Sequence, residues 1–143
     1  MSEVTIREAT SADASEMAQI IFDWESATEW VPNTYSLKES EDFIREVMPA
    51  RMMWVAGDPI KGYLLFDPKA LRIGMLYCSE RGAGVGKSLL DQVKKGRNFI
   101  WLTTQERNLA AQNFYKREGF VEVEGGEVEA SNSLPEIRME WRA

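Results

Sequence analysis

The stretch that decides the fold is Arg81-Gly82-Ala83-Gly84-Val85-Gly86-Lys87-Ser88, which lies between an apolar strand pattern and a helical pattern. Glycines at alternate positions let the backbone approach a ligand closely, and the following helix adds the positive end of its dipole. This context predicts an anion site for a phosphate or a pyrophosphate. The alternative interpretation of the same residues is a tight turn that binds nothing.

Two nucleotide-binding motifs come close to this stretch without matching it. A P-loop needs a glycine five positions before Gly86, and the chain has Arg81 there. The dinucleotide fingerprint G-x-G-x-x-G requires a different spacing from that of Gly82, Gly84 and Gly86, and it follows the first strand of its unit. The pattern that does fit is R-x-x-G-x-G, formed by Arg81, Gly84 and Gly86.

A second stretch, Asn108-Leu109-Ala110-Ala111-Gln112-Asn113-Phe114-Tyr115-Lys116-Arg117-Glu118-Gly119-Phe120, follows one strand later and fits N-x-x-A-x-x-F-Y-x-x-x-G-F. Together the two motifs closely resemble the signatures of the GNAT acetyltransferases, over residues 71–123. The resemblance implies direct transfer of the acetyl group of acetyl-CoA to a primary amine, with no covalent enzyme intermediate and no metal. One departure is that the link from Tyr77 to Arg81 is shorter than is usual in that family.

The resemblance also implies roles for individual residues. Backbone amides of the glycine turn would hold the CoA pyrophosphate, and Asn108 would bond the pantetheine arm. A backbone N–H at Leu76–Cys78 would stabilise the oxyanion, and Tyr115 would protonate the departing thiolate. The predicted cofactor-binding set is Leu76, Cys78, Arg81, Gly82, Ala83, Gly84, Val85, Gly86, Lys87, Ser88, Asn108, Ala111 and Phe114.

Several of these residues also have a purely structural interpretation. Tyr115 could be a core aromatic residue beside Phe114, and Asn108 could be a helix N-cap, which is compatible with a CoA contact. Cys78 is expected to be a packed strand residue, because the chain has no histidine that could activate a thiol nucleophile.

The acceptor site is expected in the segment before the second predicted helix. Residues 30–36 resemble a W-x-P-x-x-[HY]-[ST] element of a subgroup of small GNAT proteins, and in the family this segment lines the acceptor site. The alternative is that its tryptophans pack the loop onto the sheet and its carboxylates are solvated. The predicted acceptor residues are Trp24, Trp30 and Tyr35 as aromatic walls, and Glu25 and Glu29 as groups that bind or deprotonate an ammonium.

Length and composition limit the possible domain organisation, chemistry and binding partners. The chain has 143 residues, one cysteine, no histidine and a net charge of -6, so we expect a single domain spanning residues 1–143, in the cytoplasm. Histidine-based triads, disulfides and thiolate zinc sites are excluded. The acidic balance argues against nucleic acid and mildly favours a cationic acceptor, and no apolar run is long enough for a membrane span.

Periodicity predicts the element order β-α-α-β-β-β-α-β-α-β-β. The first helix is expected at about residues 11–24, followed by a loop from Glu25 to Ser36. A strand-helix-strand unit in the centre implies a parallel crossover. The predicted fold is a three-layer mixed α/β fold of the GNAT acyl-CoA N-acyltransferase type, with a mostly antiparallel sheet and helices on both faces. Family members often dimerise near the last strand, and an exposed Trp141 would be consistent with a homodimer.

Three functions remain open from the sequence. The first is an acetyl-CoA-dependent N-acetyltransferase, with a small amine, an amino acid, an aminoglycoside-like antibiotic or a protein N-terminus as acceptor. The second is a non-catalytic acyl-CoA-binding or sensing domain of the same fold, and the third is a nucleotide-phosphate enzyme that uses the turn at Gly86-Lys87-Ser88.

Overall fold

The computed structural model describes residues 4–31, 35–79, 84–124 and 135–143. Within these ranges the strands and helices follow the predicted order. The strands are β1 (Ile6–Glu8), β2 (Met52–Ala56), β3 (Gly62–Asp67), β4 (Arg72–Cys78), β5 (Phe99–Gln105), β6 (Val121–Val123) and β7 (Glu136–Arg142). The helices are α1 (Ala14–Ala27), α2 (Leu37–Val47), α3 (Val85–Lys94) and α4 (Leu109–Arg117), with short 3-10 turns at Ser11–Asp13 and Met48–Ala50.

The described strands form one mixed sheet in the order β1-β2-β3-β4-β5-β7-β6. Neighbouring strands run antiparallel except β4 and β5, which run parallel and are joined through α3, as the crossover prediction required. These two strands pair only through Arg72 with Trp101 and Ile73 with Leu102, although both continue beyond those pairs. We call the space between Met75–Cys78 and Thr103–Gln105 the β4–β5 gap.

The two faces of the sheet carry separate apolar cores. One core joins α3 and α4 to the sheet, with Leu89, Leu90 and Ile100 among its fully buried side chains. The other joins α1 and α2 to the strands β2 to β4, around Met17 and Ile44. Because side chains alternate along a strand, Leu76 and Cys78 pack toward the first core, and Met75 and Tyr77 pack toward the second. The β4–β5 gap therefore lies within the sheet, between the two apolar cores.

Local sequence signals account for the helix ends. Ser36 accepts a hydrogen bond from the Glu39 backbone N–H, and Glu39 accepts one from the Ser36 N–H, so the expected capping box starts α2. Gly119, with φ of +94°, follows α4 and gives the chain the left-handed conformation that a helix end commonly needs. No helix in the described ranges is long and apolar enough to span a bilayer.

One expectation needs correction, and the condition that linked Trp141 to a dimer is not met. The first helix begins at Ala14 and continues to Ala27, three residues beyond the predicted end, so Glu25 lies in the last helical turn rather than in a loop. Trp141 is not an exposed surface residue. It is partly buried against the core beneath α3 and α4, and its ring lies 5.1 Å from the Lys94 Nζ. The dimer prediction therefore has no support from this side chain.

Candidate active site

The N-terminus of α3 opens into a large cleft. Gly84 is the N-cap and has φ of +75°, a conformation in which a side chain is strained. The first helical hydrogen bond of α3 runs from the Ser88 N–H to the Gly84 carbonyl, at 3.0 Å. The amides of Val85, Gly86 and Lys87 consequently have no acceptor within the helix. Gly84 to Lys87 all line the cleft, so these amides can serve an anion there.

The β4–β5 gap is part of the same cleft. Leu76, Tyr77 and Cys78 line it from β4, and Thr103 to Gln105 line it from β5. The backbone edge of β4 that faces the gap has no ladder partner beyond Ile73. The cleft volume is about 1860 Å³, whereas pockets for single small ligands are typically about 300–1,000 Å³. The cleft has room for two reactants.

Helix α4 forms the wall beside α3. The Asn108 side chain accepts a hydrogen bond of 3.1 Å from the Ala111 N–H, so Asn108 is the N-cap of α4 as well as a lining residue. Ala111 and Phe114 also line the cleft. A Cβ atom on Gly86 would lie 3.0 Å from the Phe114 ring, so the absence of a side chain at Gly86 lets α3 and α4 approach each other.

Tyr115 is anchored by aromatic contacts and still reaches the cleft. Its ring centre lies 5.4 Å from that of Phe114 and 5.6 Å from that of Phe120. The side chain is 8% exposed and lines the cleft. Burial raises the pKa of the Tyr115 hydroxyl, and the nearby Tyr77 and Cys78 raise it further. The hydroxyl therefore stays protonated at neutral pH and can donate a proton.

Cys78 has the properties of a packed residue. It lies partly buried against the core beneath α3, and burial raises the pKa of its thiol to about 11. The thiolate is the nucleophilic form of cysteine, so this thiol is unreactive at neutral pH.

The predicted acceptor residues fall into two groups. Trp24, Glu25 and Tyr35 line the cleft, and burial raises the pKa of the Glu25 carboxyl. Trp30 does not line it but packs edge-on against Trp24, with ring centres 6.0 Å apart. Glu29 is exposed and lies outside the lining.

Several lining residues were not singled out by sequence reasoning. The Tyr77 ring packs against Trp24 in a tilted arrangement with ring centres 5.4 Å apart, and Glu25 and Glu136 both raise the pKa of the Tyr77 hydroxyl beyond the effect of burial. Glu25 belongs to α1 and Glu136 to β7, so two carboxylates approach Tyr77 from different elements. Arg72 and Gln105 complete this part of the lining. Only the register of the sheet brings these residues together, and the sequence does not display that register.

Some predictions about the phosphate turn cannot be compared with the structure. Arg81, Gly82 and Ala83 lie outside the described residues. Lys87 forms ion pairs with Asp91 at 3.3 Å and with Glu118 at 3.4 Å. Ser88 does not line the cleft. Among the described side chains no group of three or more His, Cys, Asp or Glu residues is placed to hold a metal ion.

Comparison with known proteins identifies the family. A family model described as "Acetyltransferase (GNAT) domain" matches residues 49–122. The Escherichia coli (strain K12) protein "Peptidyl-lysine N-acetyltransferase YjaB" is 26% identical over 120 residues, which are 82% of each chain. The chain belongs to the GNAT family and is an acetyltransferase of that class, so the predicted family and enzyme class are confirmed.

Solved structures show the same fold. The solution structure of apo YjaB from E. coli has a TM-score of 0.77, with 23% identity and 98% of both chains covered. The paiA N-acetyltransferase from Thermoplasma acidophilum, solved in complex with coenzyme A, has a TM-score of 0.70. It is 20% identical, with 99% of this chain and 100% of that chain covered. The predicted fold class is confirmed.

Proposed function

We propose that this protein transfers the acetyl group of acetyl-CoA to the primary amine of a small acceptor, within the cleft described above. The main observation in support of the proposal is that three features line the same cleft. They are the amides at the start of α3 that have no acceptor within the helix, the edge of β4 without a ladder partner and the buried hydroxyl of Tyr115. Each corresponds to one part of an acyl-CoA substrate: the pyrophosphate, the pantetheine amides and the leaving sulfur.

The residues present fit the cosubstrate. An elongated molecule can run from the amides of Gly84 to Lys87 into the β4–β5 gap, where the free backbone groups of β4 can pair with its amides. The Gly84 conformation leaves open space where a side chain would stand. The coenzyme A complex of the paiA enzyme supports this assignment by similarity of fold.

The proposed chemistry is a direct transfer. The neutral amine attacks the thioester carbonyl, the carbon–nitrogen bond forms and the carbon–sulfur bond breaks. A backbone N–H at Leu76–Cys78 stabilises the oxyanion, as oxyanion holes do in other acyl transfers. Glu25 takes the proton that the amine loses, and the Tyr115 hydroxyl gives a proton to the CoA sulfur. The products are the amide and free CoA thiol, and the two side chains then exchange protons with solvent.

Glu25 is the better candidate of the two predicted carboxylates for the base. It lines the cleft, and burial has raised its pKa toward the range in which a carboxylate removes protons efficiently. Glu29 is exposed and outside the lining. The aromatic side chains of Trp24 and Tyr77 lie beside Glu25 and can pack against a cationic acceptor before it loses its proton.

The first experiment is calorimetric titration of the protein with acetyl-CoA, with ATP as the control ligand. Micromolar binding of acetyl-CoA and no heat with ATP would support the cosubstrate. Release of free thiol upon addition of amines would then demonstrate transfer. Binding of acetyl-CoA without transfer to any amine would favour the non-catalytic binding domain. Binding of ATP, or of neither ligand, would contradict the proposal.

A further inference from the structure

The wall of the cleft formed by β4, β5 and β7 holds polar groups that lack partners. Among the described residues, three buried side-chain atoms have no hydrogen-bond partner: the Arg72 Nε, the Gln105 Oε1 and the Tyr63 hydroxyl. Arg72 and Gln105 line the cleft. Buried polar atoms are nearly always paired in native proteins, so an unpaired donor and an unpaired acceptor in one wall point to a partner from outside the chain, a water or a ligand.

Arg72 is held in one orientation. Its Nη2 donates a hydrogen bond of 3.0 Å to the Thr103 Oγ1, and its guanidinium lies 4.8 Å from the centre of the Trp101 ring. Within the described part of the chain, Arg72 forms no ion pair, whereas Arg51 in the same cleft pairs with Asp67 at 3.6 Å. Burial raises the pKa of the Glu136 carboxyl and the Arg72 charge opposes that rise, but no described carboxylate lies within ion-pair distance of the guanidinium. An oriented guanidinium of this kind is suited to bind a carboxylate from a ligand.

Two residues further along β5, the wall of the cleft offers hydrogen-bond acceptors instead of a cation. Gln105 pairs with Glu136 of β7 in the sheet register, and both line the cleft near Tyr77. The Gln105 oxygen and the carboxylates of Glu136 and Glu25 are all hydrogen-bond acceptors. In the described part of the chain neither Glu25 nor Glu136 forms an ion pair. This end of the wall suits an ammonium group.

We propose that the acceptor is an ω-amino carboxylate, whose amine lies among Gln105, Glu136 and Glu25 and whose carboxylate lies on Arg72. This inference rests on the proposed function, because it identifies the acceptor class of that same site. The amine end is level with Leu76 across the β4–β5 gap, where the thioester is proposed to lie. The carboxylate end is deeper in the cleft, where the two strands come together.

The spacing of Thr103 and Gln105 along β5 favours an ω-amino group over an α-amino group as the nucleophile. Thr103, which orients Arg72, and Gln105 are two residues apart on one strand, which corresponds to roughly 7 Å. An amine and a carboxylate attached to the same carbon cannot span that distance, whereas a chain of four or five methylene groups can. A lysine inside a peptide has an amine of suitable reach but offers no carboxylate to Arg72.

The test compares two acceptors that differ in one group, 5-aminopentanoate and its neutral amide 5-aminopentanamide. We expect the wild-type enzyme to acetylate the acid with a kcat/KM about ten- to a hundredfold above that of the amide, as the loss of one charge-assisted hydrogen bond implies. In Arg72→Gln the preference should fall to within about twofold. The readout is a ratio, so it does not depend on how much of each variant is folded.

Two further variants separate recognition from structural damage. Arg51→Gln removes another arginine of the cleft, which is already paired with Asp67, and should keep the preference for the acid. Thr103→Val keeps the shape of the side chain but removes the hydroxyl that orients Arg72, and should reduce the preference several-fold.

The outcomes are distinct. Equal kcat/KM for acid and amide in the wild type, an unchanged preference in Arg72→Gln, or acetylation of neither compound would each overturn the inference. A better kcat/KM for Nα-acetyl-lysinamide, which mimics a peptide lysine, than for the acid would also overturn it. Acetyl-CoA titration of the same preparation shows whether the proposed function fails as well, because cosubstrate binding does not involve Arg72.

Discussion

Tyr115 combines burial, aromatic anchoring and access to the cleft, which are the properties of a positioned acid. We predict that Tyr115→Phe lowers kcat by about ten- to a hundredfold and leaves the acetyl-CoA dissociation constant nearly unchanged. The effect should be at the low end for general acids, because a thiolate is already a tolerable leaving group. Thiol-release kinetics and calorimetry on the same sample measure the two quantities.

The Tyr115 prediction has a control in the aromatic cluster on the other face of β4. Tyr63 is fully buried with an unpaired hydroxyl, and it does not line the cleft. Tyr63→Phe should retain turnover. If Tyr115→Phe turned over acceptor as fast as the wild type, Tyr115 would have no part in proton transfer.

Glu25 determines the expected pH dependence of the reaction. Burial raises its pKa, and only the ionised carboxylate accepts a proton, so kcat/KM should rise as the pH increases through that raised pKa. We predict that Glu25→Gln lowers kcat/KM by about a hundredfold and makes the acidic limb of the pH profile shallower. The remaining slope would reflect deprotonation of the amine itself.

The exposed Glu29 provides the matched comparison for Glu25. Glu29→Gln changes charge by the same amount four residues along the chain and should preserve the rate and the profile. A full acidic limb in Glu25→Gln, or its loss in Glu29→Gln, would transfer the base role to another group.

At the scale of elements, the first 3-10 turn is fixed to β1 by a two-pronged ion pair. Arg7 donates from Nη1 and Nη2 to the two carboxylate oxygens of Asp13, each at 2.8 Å. The Asp13 carboxylate also accepts from the Thr10 N–H. The Arg7 hydrogen bond is the main reason that the pKa of Asp13 falls to about 2. The ionised Asp13 carboxylate therefore stabilises the folded state at pH values above its ordinary pKa of 3.8. This stabilisation is lost as the pH falls through 2.

We predict that Asp13→Asn lowers the urea midpoint of unfolding at about pH 6 and that the difference from wild type shrinks toward about pH 2. Urea unfolding followed by tryptophan fluorescence at several pH values measures this. An equal difference at all pH values would mean that the carboxylate charge does not contribute.

Gly84 and Gly96 form a matched pair for testing the phosphate end of α3. Their φ angles are +75° and +73°, and neither has an atom within 4 Å of the position of an added Cβ. Substitution strains both equally, by about 1–2 kcal/mol, but only Gly84 lines the cleft. We predict that Gly84→Trp weakens acetyl-CoA binding by more than about tenfold. Equal affinities of Gly84→Trp and Gly96→Trp by calorimetry would place the pyrophosphate elsewhere.

Short-range signals in the sequence predicted the elements well, and they failed where a helix continued through polar residues. The prediction ended α1 at Trp24 because the following residues are polar. In the structure Glu25 remains helical, and the Thr28 hydroxyl bonds the Trp24 carbonyl at 2.7 Å and closes the helix end. That error placed Glu25 in a loop, although its position on a helix is what directs the carboxylate into the cleft.

At the scale of the whole molecule, the motifs at the phosphate end of the cleft are visible in the sequence, whereas the polar wall formed by β4, β5 and β7 is not. The turn at Gly84 and the Asn108 to Phe120 stretch are local motifs, so their spacing is visible in the sequence. Arg72, Gln105 and Glu136 lie on three strands, and they meet only through the register of β4, β5 and β7. Isolated polar residues on strands carry no local signal that distinguishes them from solvated ones.

The unpaired edge of β4 makes a prediction for hydrogen exchange. The amides in Met75–Cys78 that face the β4–β5 gap have no ladder partner, so they should exchange rapidly in the free protein. Saturating acetyl-CoA should slow them by about tenfold or more. The amides of Met53 to Val55, within the β1-β2-β3 ladder, serve as the internal control. Unchanged exchange at Met75–Cys78 would argue against pairing between β4 and the cosubstrate.

The two halves of the sheet are thus joined by a very short length of ladder, and the proposed substrate supplies the backbone partners that the chain itself lacks. A ligand that binds only the folded state stabilises it by an amount that grows with its free concentration, about 2.7 kcal/mol at a hundred times the dissociation constant. The lifetime of this enzyme in a cell would then follow the supply of acyl-CoA. Starvation for acetyl groups would not only slow the reaction but also expose the catalyst to proteolysis.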